Sequence, residues 1–317
     1  MTNPTSLPHD SGAPGGRPNG QIDPLRCVVV GIDGSENSLA TLDWAARAVV
    51  PGGEVHAVVA VATRLGLSPV EPGTPTTVGE LKTCLDGPWG DVARSAGVML
   101  TPHAVDDSPA DALIQIATQQ RADAIVVGAH DGAHRALRLI GRTISKLLRR
   151  SPVALVIVPE HAARNASRHT IVVGVGESDA STAAMRWAAR YASARNVRVA
   201  VVKAVSARPS LTSEGLFVLL AHFLDPSVLH EWAQEDADQF AEEMKLLTGE
   251  DTPITTKVVD GSTGAGLVEA GDQAALLVIG RGNPVAVHHA IAHAPCPVVV
   301  IAGNGDEVDE VDEVDEA

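Results

Sequence analysis

Few side chains here combine a reactive type with a useful spacing. Asp33 is one, ending the apolar run Val28-Val29-Val30-Gly31-Ile32 and followed by Gly34 and Ser35. A carboxylate between a strand and a helix either meets a ligand or builds a turn that, with Ser35, caps the helix. Residue types alone leave both roles open. A second apolar run ends at Val127-Gly128, and Gly141 precedes Arg142 and Thr143. Glycine lets an anion approach the backbone, and amides at a helix N-terminus hold phosphate. Arg138, Arg142, Lys146 and Arg150 recur every four residues, flanked by Arg135 and Arg149. On a helix they form one basic stripe, which is either an anion or acidic-partner site or a solvated face. His289 and His293 are spaced i, i+4 and could offer two metal ligands. They lack the intervening Glu of metalloproteases and a third ligand, so no metal site is expected. GSTGAG (261–266) reads as a helix-entry loop, and no GxSxG elbow follows a strand.

These residues need elements to place them. Strand-type runs near Arg26–Ile32, Val55–Ala62, Val98–Val105, Ala124–Gly128 and Val153–Val158 alternate with helical patterns. The helices fall near Ser38–Val49, Val78–Ala96, Ala110–Gln120 and Thr143–Arg149, with Gly87-Pro88 interrupting the second. Runs follow again at Thr170–Val175, Ala180–Ser193, Val197–Val205 and Val228–Leu247. Ile254–Val259, Gly264–Gln273, Leu276–Gly280 and Val298–Ala302 complete the series. Strands apolar on both faces, alternating with helices, predict parallel α/β sheets with right-handed crossovers. In such a sheet a ligand sits beyond the carboxyl ends of the strands, where connectivity switches sides. The Gly31-Ile32-Asp33-Gly34 turn and Gly128 converge there.

The chain repeats itself. VVVGIDGSENSLATLDWAARA (28–48) is echoed by IVVGVGESDASTAAMRWAARY (171–191), with Trp44 and Trp187 offset by 143 residues. Pro152 and Pro295 share that offset. A period this long means two homologous domains, predicted at 25–159 and 168–303, rather than a solenoid. The fold class expected is α/β, two tandem doubly wound five-stranded parallel-sheet domains of Rossmann-like type.

Composition narrows function. The 317 residues are 45% hydrophobic and only 3% aromatic. Net charge is −15, of which the tail DEVDEVDEVDEA carries eight acids. An acidic body with few aromatics makes a poor binder of nucleic acid or anionic membrane. Cys27, Cys84 and Cys296 have no metal spacing. They read as small residues in a reducing, cytoplasmic compartment. Residues 1–24 and 304–317 read as disordered.

GIDGSENSLATLDWAARA, PADALIQIA…ADAIVVGA and SPVALVIVP resemble the universal stress protein family, as do RWAARYA and HAPCPVVVIA in the second copy. The resemblance covers 26–302. It implies a five-stranded parallel α/β fold, adenine-nucleotide (ATP) binding in many members, and pairing through the last strand. It also implies a role in stress, dormancy or growth arrest rather than turnover, so no enzyme is expected. Partners would be an adenine nucleotide, a homodimer or intramolecular pairing of the two domains, and an unidentified protein.

The resemblance implies a nucleotide site in copy one only. Gly31, Ile32 and Asp33, Ala60 at the end of strand two, and Val127 and Gly128 would line it. Gly141, Arg142 and Thr143 would face the phosphates. The family's loop after strand four runs Gly, two residues, Gly, nine residues, Gly, then Ser or Thr. Here the second glycine is Asp131, with Gly132 one place late, and Arg142 stands at the hydroxyl position. An acid repels phosphate, while Arg142 either clamps it or fills the site. Copy two has Gly176 at the Asp position and only 15 residues from Gly280 to Pro295, against 24 from Gly128 to Pro152. Its site is expected to be lost. Extra length at 206–230 reads as either a lid, an inter-domain contact or ordinary helix packing. The rival function is a nucleotide-free interaction module.

Overall fold

The computed structural model describes residues 24–61, 75–129, 141–159, 169–205, 226–249 and 252–303. The N-terminal segment, the acidic tail, the 206–225 part of the insertion, and Asp131, Gly132, Arg135 and Arg138 lie outside the described residues.

The first half runs β1 (Cys27–Gly31), α1 (Glu36–Ala48), β2 (Glu54–Ala60), α2 (Val78–Asp86), α3 (Asp91–Ala96) and β3 (Met99–Val105). It continues through α4 (Pro109–Gln120), β4 (Ala124–Gly128), α5 (Arg142–Arg150) and β5 (Ala154–Val158). The second runs β6 (Thr170–Val175), α6 (Asp179–Arg195), β7 (Arg198–Val205), α7 (Pro226–Thr248) and β8 (Ile254–Asp260). Then come α8 (Thr263–Ala270), β9 (Leu276–Gly280), α9 (Pro284–His293) and β10 (Val298–Ile301). Gly87-Pro88 does split the second helical stretch, because Pro88 opens a 3-10 turn that ends α2. Helix α9 was not among the predicted elements; Asn283 caps it and Pro284 sits at its start.

Each half contributes five parallel strands, but they form one ten-stranded sheet in the order β3-β2-β1-β4-β5-β10-β9-β6-β7-β8. The seam is antiparallel: Val298, Val299 and Val300 pair with Ile157, Val156 and Leu155. Both strands are buried along their length (ALVIV and VVVI), so neither could stand as a sheet edge in water. The domain pairing is thus intramolecular.

Helices cover both faces. One core joins the sheet to α1, α2, α3, α6 and α7, the other to α4, α5, α8 and α9, and each spans both halves. Side chains also bridge the seam. Arg281 of the second half donates to the carbonyls of Leu148 (2.8 Å) and Arg149 (3.1 Å), in the last turn of α5. Arg195 lies 4.7 Å from the Tyr191 ring centre and donates to the Ala48 carbonyl at the end of α1.

Two residues of the basic stripe, Lys146 and Arg150, are committed within the fold. Asp111 of α4 accepts from Lys146 Nζ at 2.6 Å and from Arg150 at 3.1 Å, and from the Ser108 hydroxyl. The described part of the stripe is therefore a clamp between α4 and α5 as well as a partly solvated face. Burial raises the Asp111 carboxyl, but hydrogen bonds from Lys146 and Ser108 and the charges of Lys146 and Arg150 outweigh it. The net pKa lies below the ordinary 3.8.

Two outcomes follow from this packing. Val299→Asp puts an unpaired carboxylate in the seam and should cost more than about 4 kcal/mol in urea unfolding, enough to abolish folding in a marginal protein. The ionic clamp stabilises above pH 3.8 and is lost as pH falls through the lower folded value. The thermal-midpoint advantage of the unmodified chain over Asp111→Asn should be full at neutral pH and shrink below pH 3.8. An advantage constant across that range would rule out an ionic clamp.

Candidate functional site

Strands β1 and β4 are parallel neighbours, with Val30 beside Val126, yet their connections leave in opposite directions along the sheet. This is the switch point, and the crevice beyond it is where an open α/β sheet binds ligands. Gly31 and Gly128 close the two strands at its floor. Ile32 is buried and extends the ladder, donating to the Val58 carbonyl at 2.8 Å. Val127 is also buried, and half-buried Ala60 ends β2.

Asp33 is exposed at the mouth. Its Oδ1 accepts from the Ser35 amide (3.0 Å) and hydroxyl (2.6 Å), while Ser35 caps α1 by accepting from the Ser38 amide at 3.1 Å. Gly34, at φ +87°, supplies the left-handed residue this tight turn requires. The turn-and-cap role is therefore realised. The same turn holds the carboxylate in a fixed place at the crevice rim.

Helix α1 lies close over the end of β4. A Cβ on Gly128 would stand 2.6 Å from Asn37 Nδ2 and 2.9 Å from Thr41 Oγ1, so only glycine fits. Asn37 Nδ2 donates to the Ala129 carbonyl at 2.6 Å. Its Oδ1 is buried without a hydrogen-bond partner among the described residues. Sequence reasoning missed Asn37. The 143-residue offset could have flagged it, because Ala180 stands at the equivalent place.

Across the crevice mouth, α5 begins at Gly141 with no side-chain cap. A Cβ built there meets nothing within 4 Å among the described residues, Arg142 is exposed and Thr143 is half-buried. First-turn amides with no side-chain cap among the described residues are a physical match for an anion.

Copy two is built differently. The Gly176 amide still donates to Ser181 Oγ at 2.6 Å, as the Asp33 amide does to Ser38 at 3.4 Å, but glycine has no carboxylate at the Asp33 position. A Cβ on Gly280 would lie 2.5 Å from the Ala180 backbone, and one on Gly282 would lie 2.9 Å from Ser178 Oγ. The start of α6 thus packs directly on the strand ends. Asn283 Oδ1 accepts from the Ala286 amide at 3.1 Å and caps α9. Among the described residues this end thus has its helix start capped and α6 seated close on the strand ends. His289 and His293 stack on each other (ring centres 4.3 Å apart), with His289 against Gly264. Among the described residues they gather no third metal ligand. Gly264 and Gly266 of GSTGAG lie in α8, where they permit close packing on His289 and Val259.

The family model described as "Universal stress protein family" matches residues 25–159 and 167–302. A universal stress protein of Mycobacterium tuberculosis is 26% identical over 215 residues, covering 63% of this chain and 71% of that protein. Among solved structures, a universal stress protein from Archaeoglobus fulgidus superposes with a TM-score of 0.57 at 15% identity, over 89% of this chain and 98% of its own. A universal stress protein from Pseudomonas aeruginosa gives 0.59 at 15% identity, over 89% and 94%. At such identities the two structures establish the fold alone. No helix among the described residues is long and apolar enough to cross a membrane. With the family model matched once in each half, across most of its length, the chain belongs to the universal stress protein family and carries two of its domains in tandem.

Proposed function

We propose that the chain is a non-catalytic, cytoplasmic regulator in the stress response, and that its first half alone takes up an adenine nucleotide, weakly. The observation that carries this reading is the contrast at the two equivalent helix starts. Among the described residues helix α5 begins at a glycine without a side-chain cap, whereas α9 is capped by Asn283. The residues present fit a nucleotide at that end: first-turn amides from Arg142 onward would face phosphate. Asp33, fixed at the rim by Ser35, would accept from the adenine or ribose side.

A second reading has its own observation. Asn37 and Thr41 cover Gly128, where a nucleotide would need close backbone approach. If that cover is permanent, the chain is a nucleotide-free interaction module, with an unidentified protein or a second copy as its partner.

Calorimetric titration of ATP and AMP into the purified chain separates the two. The nucleotide reading expects weak, saturable binding that falls at least tenfold (about 1.4 kcal/mol) in Asp33→Ala. It also expects Asp131→Gly with Arg142→Ser to tighten binding by a similar factor. Silent titrations, with no nucleotide-dependent rise in melting temperature, would favour the interaction module. Saturable binding that is unchanged in Asp33→Ala would place the site elsewhere.

A further inference from the structure

A second cluster of reactive side chains lies at the opposite end of the first-half strands. Cys27 begins β1 and Glu54 begins β2, and the two are paired in register. His56 follows two residues on, so the pleat puts it on the same face as Glu54. Cys27 Sγ, a Glu54 carboxylate oxygen and a His56 ring nitrogen all lie within 4.8 Å of one another. From the edge strand, His103 brings its Nε2 to 3.0 Å from His56 Nδ1.

His56 is only 4% exposed, and its Nε2 is buried with no hydrogen-bond partner among the described residues. Glu54 Oε2 is 3.5 Å away, too far for a good hydrogen bond. A buried ring nitrogen left in this state needs an explanation. When His103 Nε2 accepts from His56 Nδ1–H, His56 Nε2 carries a bare lone pair aimed between a thiol and a carboxylate. That is the arrangement of a metal-ligating histidine, whose other nitrogen donates to a second group that fixes its tautomer.

We propose that Cys27, Glu54 and His56 bind a zinc-class divalent cation, with His103 as the orienting partner of His56 and water in the fourth position. A thiolate, an imidazole and a carboxylate suit zinc, whose tetrahedral bonds of about 2.0–2.3 Å place its ligand atoms roughly 3.3–3.8 Å apart. Rotation of Glu54, whose side chain is 49% exposed, closes the remaining gap and leaves a path for the ion and for water. Thiolate and carboxylate together balance a 2+ charge, so the half-buried site would be neutral when filled. Burial, only partly offset by Glu54, lowers the His56 pKa, and burial followed by the charge of His56 lowers that of His103. The site joins the first two strands at their amino ends, and the nucleotide crevice lies at their carboxyl ends. It does not rest on the nucleotide reading.

The test is a cobalt(II) titration of the full-length chain after chelator treatment, under reducing conditions. One equivalent of cobalt should produce a near-ultraviolet thiolate-to-cobalt charge-transfer band with tetrahedral visible bands, all erased by one equivalent of zinc. Cys27→Ala keeps a small apolar residue at a buried position and should abolish the band while circular dichroism shows an intact fold. His103→Phe should weaken cobalt affinity about 10- to 100-fold, as loss of an orienting partner does. Cys84→Ala and His289→Gln should change nothing. The absence of a charge-transfer band in the unmodified chain, or a band that survives Cys27→Ala, would overturn the proposal.

Discussion

The structure hangs on a three-pair antiparallel ladder between β5 and β10. Each half ends in a strand buried on both faces, a sequence that is viable only inside a sheet. Pairing the two strands removes two hydrophobic edges at once and makes the cores continuous across the seam. The antiparallel sense has a geometric consequence. All strands of one half point one way and all strands of the other point the opposite way. The two carboxyl-end crevices therefore open on opposite margins of the sheet, and among the described residues each is lined by its own half.

That independence lets the two copies diverge. Duplicated halves keep what the core requires, including the Trp-Ala-Ala-Arg helix, the Ser38 and Ser181 turns, and the final proline before the seam. They differ, among other places, at the strand ends around the switch point. Copy one retains an acid in the β1 turn and an uncapped helix after β4. Copy two replaces the acid with Gly176 and lets Ala180 settle onto Gly280. It also satisfies the helix start with Asn283. A capped helix end and a close-packed strand end favour stability over binding. Shortening the loop after β9 to three residues enforces both, because so short a connection must start its helix against the sheet.

The fold was legible because its signals are local and repeated. Apolar runs of strand length, Ser caps at fixed offsets and Gly87-Pro88 inside a helical stretch each act within a few residues of themselves. Even the pairing of the halves was anticipated through the family resemblance, although a single shared sheet is a sharper result than two domains side by side. The candidate site was legible only where it follows the chain. Asp33 and Gly141 could be placed because strand ends and helix starts are local features. Asn37 over Gly128 could not, since that contact joins residues 91 positions apart through helix-to-sheet packing. The basic stripe failed as a simple either-or for the same reason. Lys146 and Arg150 find Asp111 on another helix, and a periodicity along α5 carries no information about what faces it.

The Cys27, Glu54 and His56 cluster marks the limit of reading by spacing. Metal motifs that sequence reveals, such as paired cysteines or i, i+4 histidines, are ones in which a turn or helix brings ligands together along the chain. A sheet brings them together sideways, through a register that no single strand specifies. Here the two i, i+4 histidines pack on each other with no third ligand among the described residues, while three residues with no recognisable spacing converge. The difference lies in burial and partners rather than in residue type. His293 Nδ1 is engaged by the carbonyl of His289 on its own helix, whereas His56 is held from one side by a neighbouring strand and left open on the other. A histidine becomes a ligand when its surroundings satisfy one nitrogen and strand the second, and among the described residues the β1–β2–β3 register does both for His56.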